Sequence, residues 1–323
     1  MIAYMTAASL ILSSIISKRR SPQTTEIAHQ VSYRRNRIFL DGKKLPRSSR
    51  LWLPSWNRAV LNHIKAQPAA RKLISILQSA QNRGFRSSTT GKLRVWLGVS
   101  ESRDFELDLV QDGPHVFVVG PTGSGKSQLL RLLLTSVTAT HSPARVQLMV
   151  ADFKGSALLQ GFNFDAWMLM QVDDLQVDQH SAFWDRIAEE LTAREEHLKN
   201  QTKSSFDYSA PSQPQLLVVV DEVAAACKTS ARVVEVLSAV ASRGRSLGVV
   251  LVVANQGLSQ VPRELLLNLR LRVALAGTDL VELVQLGGQS KKITNSQPGW
   301  LAARLINQAG SDQDFYFVLL SQD

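Results

Sequence analysis

Gly120-Pro121-Thr122-Gly123-Ser124-Gly125-Lys126-Ser127 brings three glycines, a lysine and a hydroxyl together in eight positions. Glycines without side chains let the backbone curl so that its N–H groups face an anion. A lysine directly after the last glycine reaches β- and γ-phosphates, and the following hydroxyl is a ligand for Mg²⁺. The apolar run Val116–Val119 leads into the segment, and a helical pattern runs on from Lys126 to about Val137. That strand–loop–helix context is what the chemistry requires, because the helix start adds its positive dipole end. The expected ligand is ATP with Mg²⁺, held by Gly120, Pro121, Thr122, Gly123, Ser124, Gly125, Lys126 and Ser127.

A second chemical feature lies 95 positions beyond Lys126. Leu217-Val218-Val219-Val220 is uniformly apolar and ends in Asp221-Glu222. Paired carboxylates alone also fit a solvated strand exit. At the end of a strand buried on both faces, they fit a metal-orienting acid and a base. Asp221 is expected to hold Mg²⁺, through water, beside Ser127. Glu222 is expected to polarise the attacking water, which favours hydrolysis over transfer to another acceptor. Asn255 and Gln256 end the next apolar strand and would face the γ-phosphate if that strand lies beside the first. Arg243 and Arg245 follow a helix after Asp221. A guanidinium there either is simply solvated or faces the nucleotide of a neighbouring subunit.

The elements that must position these groups alternate. Strands are expected at Val95–Leu97, Phe105–Leu109, Val116–Val119, Val146–Ala151, Trp167–Val172, Leu216–Val220, Val249–Ala254 and Leu271–Ala276, with two more near Trp300–Leu305 and Phe315–Leu320. Helices are expected at His180–Asn200 and about Ala231–Ala241. This spacing predicts an α/β fold with a mostly parallel sheet flanked by helices. Residues 92–323 form the expected catalytic domain. Residues 1–91 form a basic arm, loosely structured over 18–58, with an amphipathic helix over 59–80 and a linker before Lys92.

Charge divides the chain the same way. Residues 1–96 hold 18 of the 37 Lys and Arg but only Glu26 and Asp41 of the 27 acids, a net +16 against −6 for the remainder. A basic arm binds polyanions by releasing their counterions, and Trp52 and Trp56 beside it can stack on bases. Met1–Ser17 carries no charged side chain and precedes Lys18-Arg19-Arg20. Its 17 residues are short for a bilayer span, so a membrane anchor and a packed or disordered terminal helix both stay open. Cys227 is the single cysteine. It excludes an intrachain disulfide and a cysteine metal cluster, suits a reducing cytoplasmic interior, and reads as a buried small hydrophobe.

Together these residues resemble the motor domain of the FtsK/SpoIIIE family of DNA translocases, in the FtsK–HerA branch of ring ATPases. The likeness runs over roughly Leu93–Leu320. It rests on Asp112-Gly113-Pro114-His115 and the phosphate loop, Asp152-Phe153-Lys154-Gly155, Arg194, Asp221-Glu222, Arg243-Gly244-Arg245-Ser246-Leu247-Gly248, Ala254-Asn255-Gln256, and Asn268 to Arg272. The resemblance implies a RecA-like P-loop fold, Arg245 as arginine finger and Gln256 as phosphate sensor. It also implies a homo-oligomeric, hexameric ring and double-stranded DNA as partner. Gly257 and Leu258 stand where the family has arginine and proline, which puts its DNA-contacting loops in doubt here. The expected function is therefore ATP-driven movement of duplex DNA, as in plasmid transfer or DNA segregation, by a reduced motor of a plasmid or mobile element. Two alternatives are an ATP-switched nucleic-acid-binding accessory protein and a secretion-associated ATPase acting on protein.

Overall fold

A computed structural model describes residues 31–34, 37–40, 43–44, 93–100, 103–155, 158–159, 164–209, 211–295, 300–306 and 312–318. The Met1–Ser17 segment, Trp52, Trp56 and the 59–80 helix lie outside them. Within the arm, β1 (Val31–Arg34), β2 (Arg37–Leu40) and β3 (Lys43–Lys44) form an antiparallel sheet, so these strand residues are regular rather than loosely structured.

The rest of the described chain is built on a ten-stranded sheet. Its strands are β4 (Arg94–Ser100), β5 (Arg103–Asp108), β6 (His115–Val119), β7 (Val146–Asp152), β8 (Met168–Asp173), β9 (Gln215–Asp221), β10 (Val249–Asn255), β11 (Leu271–Leu275), β12 (Trp300–Ile306) and β13 (Gln313–Val318). They lie in the order β5-β4-β13-β12-β11-β6-β10-β9-β7-β8. The six from β11 to β8 are parallel; β12, β13, β4 and β5 join antiparallel.

The central strands are apolar except at their ends because helices cover both faces. Side chains alternate between two cores along each strand. Val116 and Val118 face a core that includes Leu129, Leu130 and Leu133 of α1 (Lys126–Thr140). Phe117 and Val119 face a core built with α2 (Val177–Asn200), α3 (Val223–Thr229) and α4 (Ala231–Leu247). Two short helices, α5 (Arg263–Asn268) and α6 (Leu280–Gln285), lie around β11 in the chain. Burial of each large apolar side chain in such a core stabilises by about 1.5–3 kcal/mol.

Several expected bounds shift. The helix after Asp221 does not stop at Ala241 but runs to Leu247, so Arg243 and Arg245 lie in its last turns rather than after it. Gly248, at φ 70°, ends it in the left-handed conformation that glycine tolerates. Helices α3, α5 and α6 went unread because six or seven residues carry too little periodicity to register.

Candidate nucleotide site

Four adjacent parallel strands aim their carboxyl ends at one place. They are β6, β10, β9 and β7, and they deliver the phosphate loop, Gln256, Asp221-Glu222 and Asp152–Lys154 respectively. Crevices at the carboxyl ends of such strands are where open α/β sheets bind ligands. The condition set for Asn255 and Gln256, that their strand neighbour the one ending in Asp221, is met.

The phosphate loop has the required backbone. Gly123 and Gly125 have φ of 80° and 101°, values that a side chain would strain. A Cβ on Gly125 would also lie 2.2 Å from Leu301 Cδ1, so the β12 side chain holds the loop down. Lys126 Nζ donates to Gly120 O at 2.6 Å and Pro121 O at 3.1 Å, bending back over its own loop. Ser127 Oγ donates to Asp221 Oδ2 at 2.7 Å, which joins the two halves expected to hold Mg²⁺. Ser124 Oγ is buried with no hydrogen-bond partner, a polar atom left over inside an anion cradle. This donor set, all N–H, ammonium and hydroxyl around one acid pair, fits a nucleotide phosphate chain with Mg²⁺.

The acid pair sits in a low-dielectric setting. Asp221 is buried, and burial pushes its carboxyl above the usual range against the opposing bond from Ser127. Glu222 adopts φ 57°, ψ 58°, an uncommon left-handed conformation for a side-chain-bearing residue. Its Oε1 accepts from Lys154 Nζ at 2.8 Å and from Gln256 Nε2 at 3.1 Å. Gln256 Oε1 in turn accepts from Thr122 Oγ1 at 3.1 Å. Gln256 therefore bridges Glu222 to the phosphate loop. Asn255 does not face the site. Its Oδ1 accepts from Ala224 N–H and its Nδ2 donates to Gly257 O, fastening the β10 end to α3.

Burial, and then the charge of Lys154, lower the Lys126 pKa to about 8. Lys154 is itself a site residue that reading the motifs alone did not single out. The signal was present in Asp152-Phe153-Lys154-Gly155, but no spacing argument shows that the strand before it lies beside β9 and so brings its lysine to Glu222.

The arginines separate clearly. Arg243 pairs with Glu195 of α2. Arg272 donates to the carbonyls of Leu266, Leu269 and Leu286 and is spent on shape. Arg194 is buried and ties Leu247 O and Pro214 O together. Arg245 is exposed, and its guanidinium makes no hydrogen bond or ion pair among the described residues. It lies beside the amino ends of the central strands β6 and β10. A Cβ on the preceding Gly244 would come within 3.0 Å of His115 Cε1, and His115 starts β6, whereas the phosphate loop follows the end of β6. Five strand residues put those ends about 13 Å apart.

Residues 73–207 match the FtsK/SpoIIIE family model. The chain carries an FtsK/SpoIIIE family domain, in the P-loop ATPase branch. It is 31% identical over 188 residues to the ESX secretion system protein EccC of Thermomonospora curvata, covering 52% of this chain and 14% of that protein. It is also 31% identical over 188 residues to the ESX-4 secretion system protein EccC4 of Mycobacterium tuberculosis, covering 52% of this chain and 15% of that protein. The chain thus spans only a small part of the length of these relatives. The solved cytoplasmic domain of the T. curvata type VII secretion ATPase EccC superposes with a TM-score of 0.64 at 28% identity, over 72% of this chain and 29% of that one. The FtsK/SpoIIIE domain agrees in fold, a mostly parallel sheet flanked by helices, with what the strand spacing predicts.

Proposed function

We propose that this chain is an ATP-hydrolysing motor unit of a secretion-associated apparatus, using Glu222 as general base and acting on protein. The observation that carries the hydrolytic part is the convergence of Lys126, Ser127, Asp221, Glu222 and Gln256 on one strand-end crevice. The protein-export part is supported by the secretion-system relatives, which favour it over DNA movement.

The phosphate-loop amides, Lys126 and Ser127 would hold ATP, with Mg²⁺ on Ser127 and near Asp221. Bound ATP supplies the phosphoanhydride bond, and Mg²⁺ supplies neutralising charge. Glu222 accepts the proton of the attacking water at a carboxylate oxygen. Gln256 keeps that oxygen in register with Thr122. Asp221, deep under the loop, fixes Ser127.

Duplex DNA stays the second reading because of the +16 charge of residues 1–96. One experiment separates the two. ATP hydrolysis is measured with duplex DNA, single-stranded DNA and heparin, and exported proteins are compared between parent and Lys126→Ala cells. Protein export predicts loss of specific exported polypeptides and no DNA stimulation beyond that by heparin. Duplex-specific stimulation with an unchanged set of exported proteins sinks the secretion reading.

A further inference from the structure

Lys154 stands beside a base that hydrolysis requires, yet it holds that base in a charged hydrogen bond. Its placement is built, not incidental. Asp152 Oδ1 accepts from Lys154 N–H at 2.9 Å, and Asp152 Oδ2 accepts from Leu158 N–H at 2.7 Å. Arg131 of α1 donates through Nε to Leu158 O at 2.8 Å. The Phe153 ring stacks on Trp184 and meets His180 edge-on. These contacts fix the backbone on both sides of Lys154 and leave its side chain, 31% exposed, as the part able to swing.

Its charge also acts on Lys126, whose pKa is lowered first by burial and then by Lys154. Two ammonium groups side by side are costly unless an anion lies between them. In this structure Glu222 and Asp221 supply the compensating charge. A γ-phosphate at the tip of Lys126 would bring a denser charge with more acceptor oxygens. ADP, which lacks it, would not.

We propose that Lys154 is the residue by which this site tells ATP from ADP: it leaves Glu222 for the γ-phosphate and so frees the base only when there is a bond to cleave. The inference deepens the ATPase reading above and rests on it. Gln256 bonds the same Glu222 oxygen and also Thr122, so the carboxylate stays aimed after Lys154 departs. Lys154 is thus a positioning and specificity residue, coupled to Glu222.

The test is binding of a non-hydrolysable ATP analogue and of ADP, each with Mg²⁺, to the full chain and to Lys154→Ala, Lys154→Gln and Lys154→Arg. For Lys154→Ala and Lys154→Gln, analogue affinity falls about tenfold while ADP affinity changes by less than about twofold. Lys154→Arg keeps most of the preference, because the charge remains. Equal losses for both nucleotides in Ala and Gln variants that melt like the parent would mean a merely structural role and overturn the proposal. Unchanged analogue affinity overturns it as well. A parent chain that binds neither nucleotide defeats the ATPase reading itself, whereas normal binding without any effect on export defeats only the assignment of cargo.

Discussion

Ser127 and Asp221 are 94 positions apart in the chain, and their side chains meet in a 2.7 Å hydrogen bond between the start of α1 and the end of β9. The bond pre-assembles the corner proposed to hold Mg²⁺. Asp221→Asn keeps the shape but removes the charge that draws Mg²⁺. ATP turnover is expected to fall about hundredfold, with partial recovery as Mg²⁺ is raised. A turnover-against-Mg²⁺ titration that superposes on the parent's would remove Asp221 from the metal site.

Lys126→Ala and Glu222→Gln should fail in different ways. The first removes a phosphate contact, so nucleotide binding and hydrolysis both drop. The second keeps the hydrogen-bonding shape around Lys154 and Gln256 but loses the proton acceptor. It should retain ATP and lose about two orders of magnitude or more in turnover. Filter binding beside a phosphate-release assay distinguishes them, and parental release by Glu222→Gln contradicts its role as base.

Arg245 should act on a neighbouring subunit's nucleotide. It sits by the amino ends of the central strands, opposite its own phosphate loop, whereas Arg243 is already paired with Glu195 and Arg272 with three carbonyls. A fork of positive charge at a γ-phosphate stabilises the transition state more than the ground state. Arg245→Ala is therefore expected to lower turnover about a thousandfold with little change in ATP affinity, and Arg243→Ala to have a far smaller effect. Mixing Arg245→Ala with Lys126→Ala subunits should restore some activity at interfaces that keep one intact half from each. Parental turnover in assembled Arg245→Ala protein rules the residue out.

Nucleotide binding should depend on pH through Lys126. Its pKa of about 8 lies below the ordinary lysine value because of burial and then Lys154. A phosphate beside it raises that value again, so binding near and above pH 8 takes up a proton. The sign follows: affinity is flat below pH 7 and declines as pH rises through 8, by about fivefold between pH 8 and 9. Calorimetry in buffers of different ionisation enthalpy measures the proton directly. Zero uptake at pH 8.5 contradicts this account.

Much of this site is legible in the sequence alone. Gly120–Ser127 and Asp221-Glu222 can be read because each is contiguous and bracketed by apolar runs, and the parallel core can be read because Leu216–Val220 and Val249–Ala254 admit no polar residue. What failed depended on side chains rather than on pattern. Asn255 and Gln256 look equivalent in sequence, yet one fastens α3 and the other bridges Thr122 to Glu222. Lys154 reaches Glu222 only because β7 lies directly beside β9, an adjacency set by tertiary order. Likewise, Arg243 and Arg245 differ by two positions on one helix, and only packing against α2 decides which is occupied.

The position of β13 also bears on how the domain is made. This strand lies between β4 and β12, so the β4–β5 hairpin joins the sheet only through a segment more than 200 residues downstream. Until then the hairpin has α1 to rest on, with Trp96 N–H already bonded to Ser136 Oγ at 2.7 Å. Such distant pairing slows folding, because the chain must close a long loop before the contact rewards it. Leu301 of β12, which presses on Gly125, belongs to the same late-arriving hairpin. Intermediates lacking that hairpin would thus have an unbraced phosphate loop, and nucleotide capture becomes a marker of its docking.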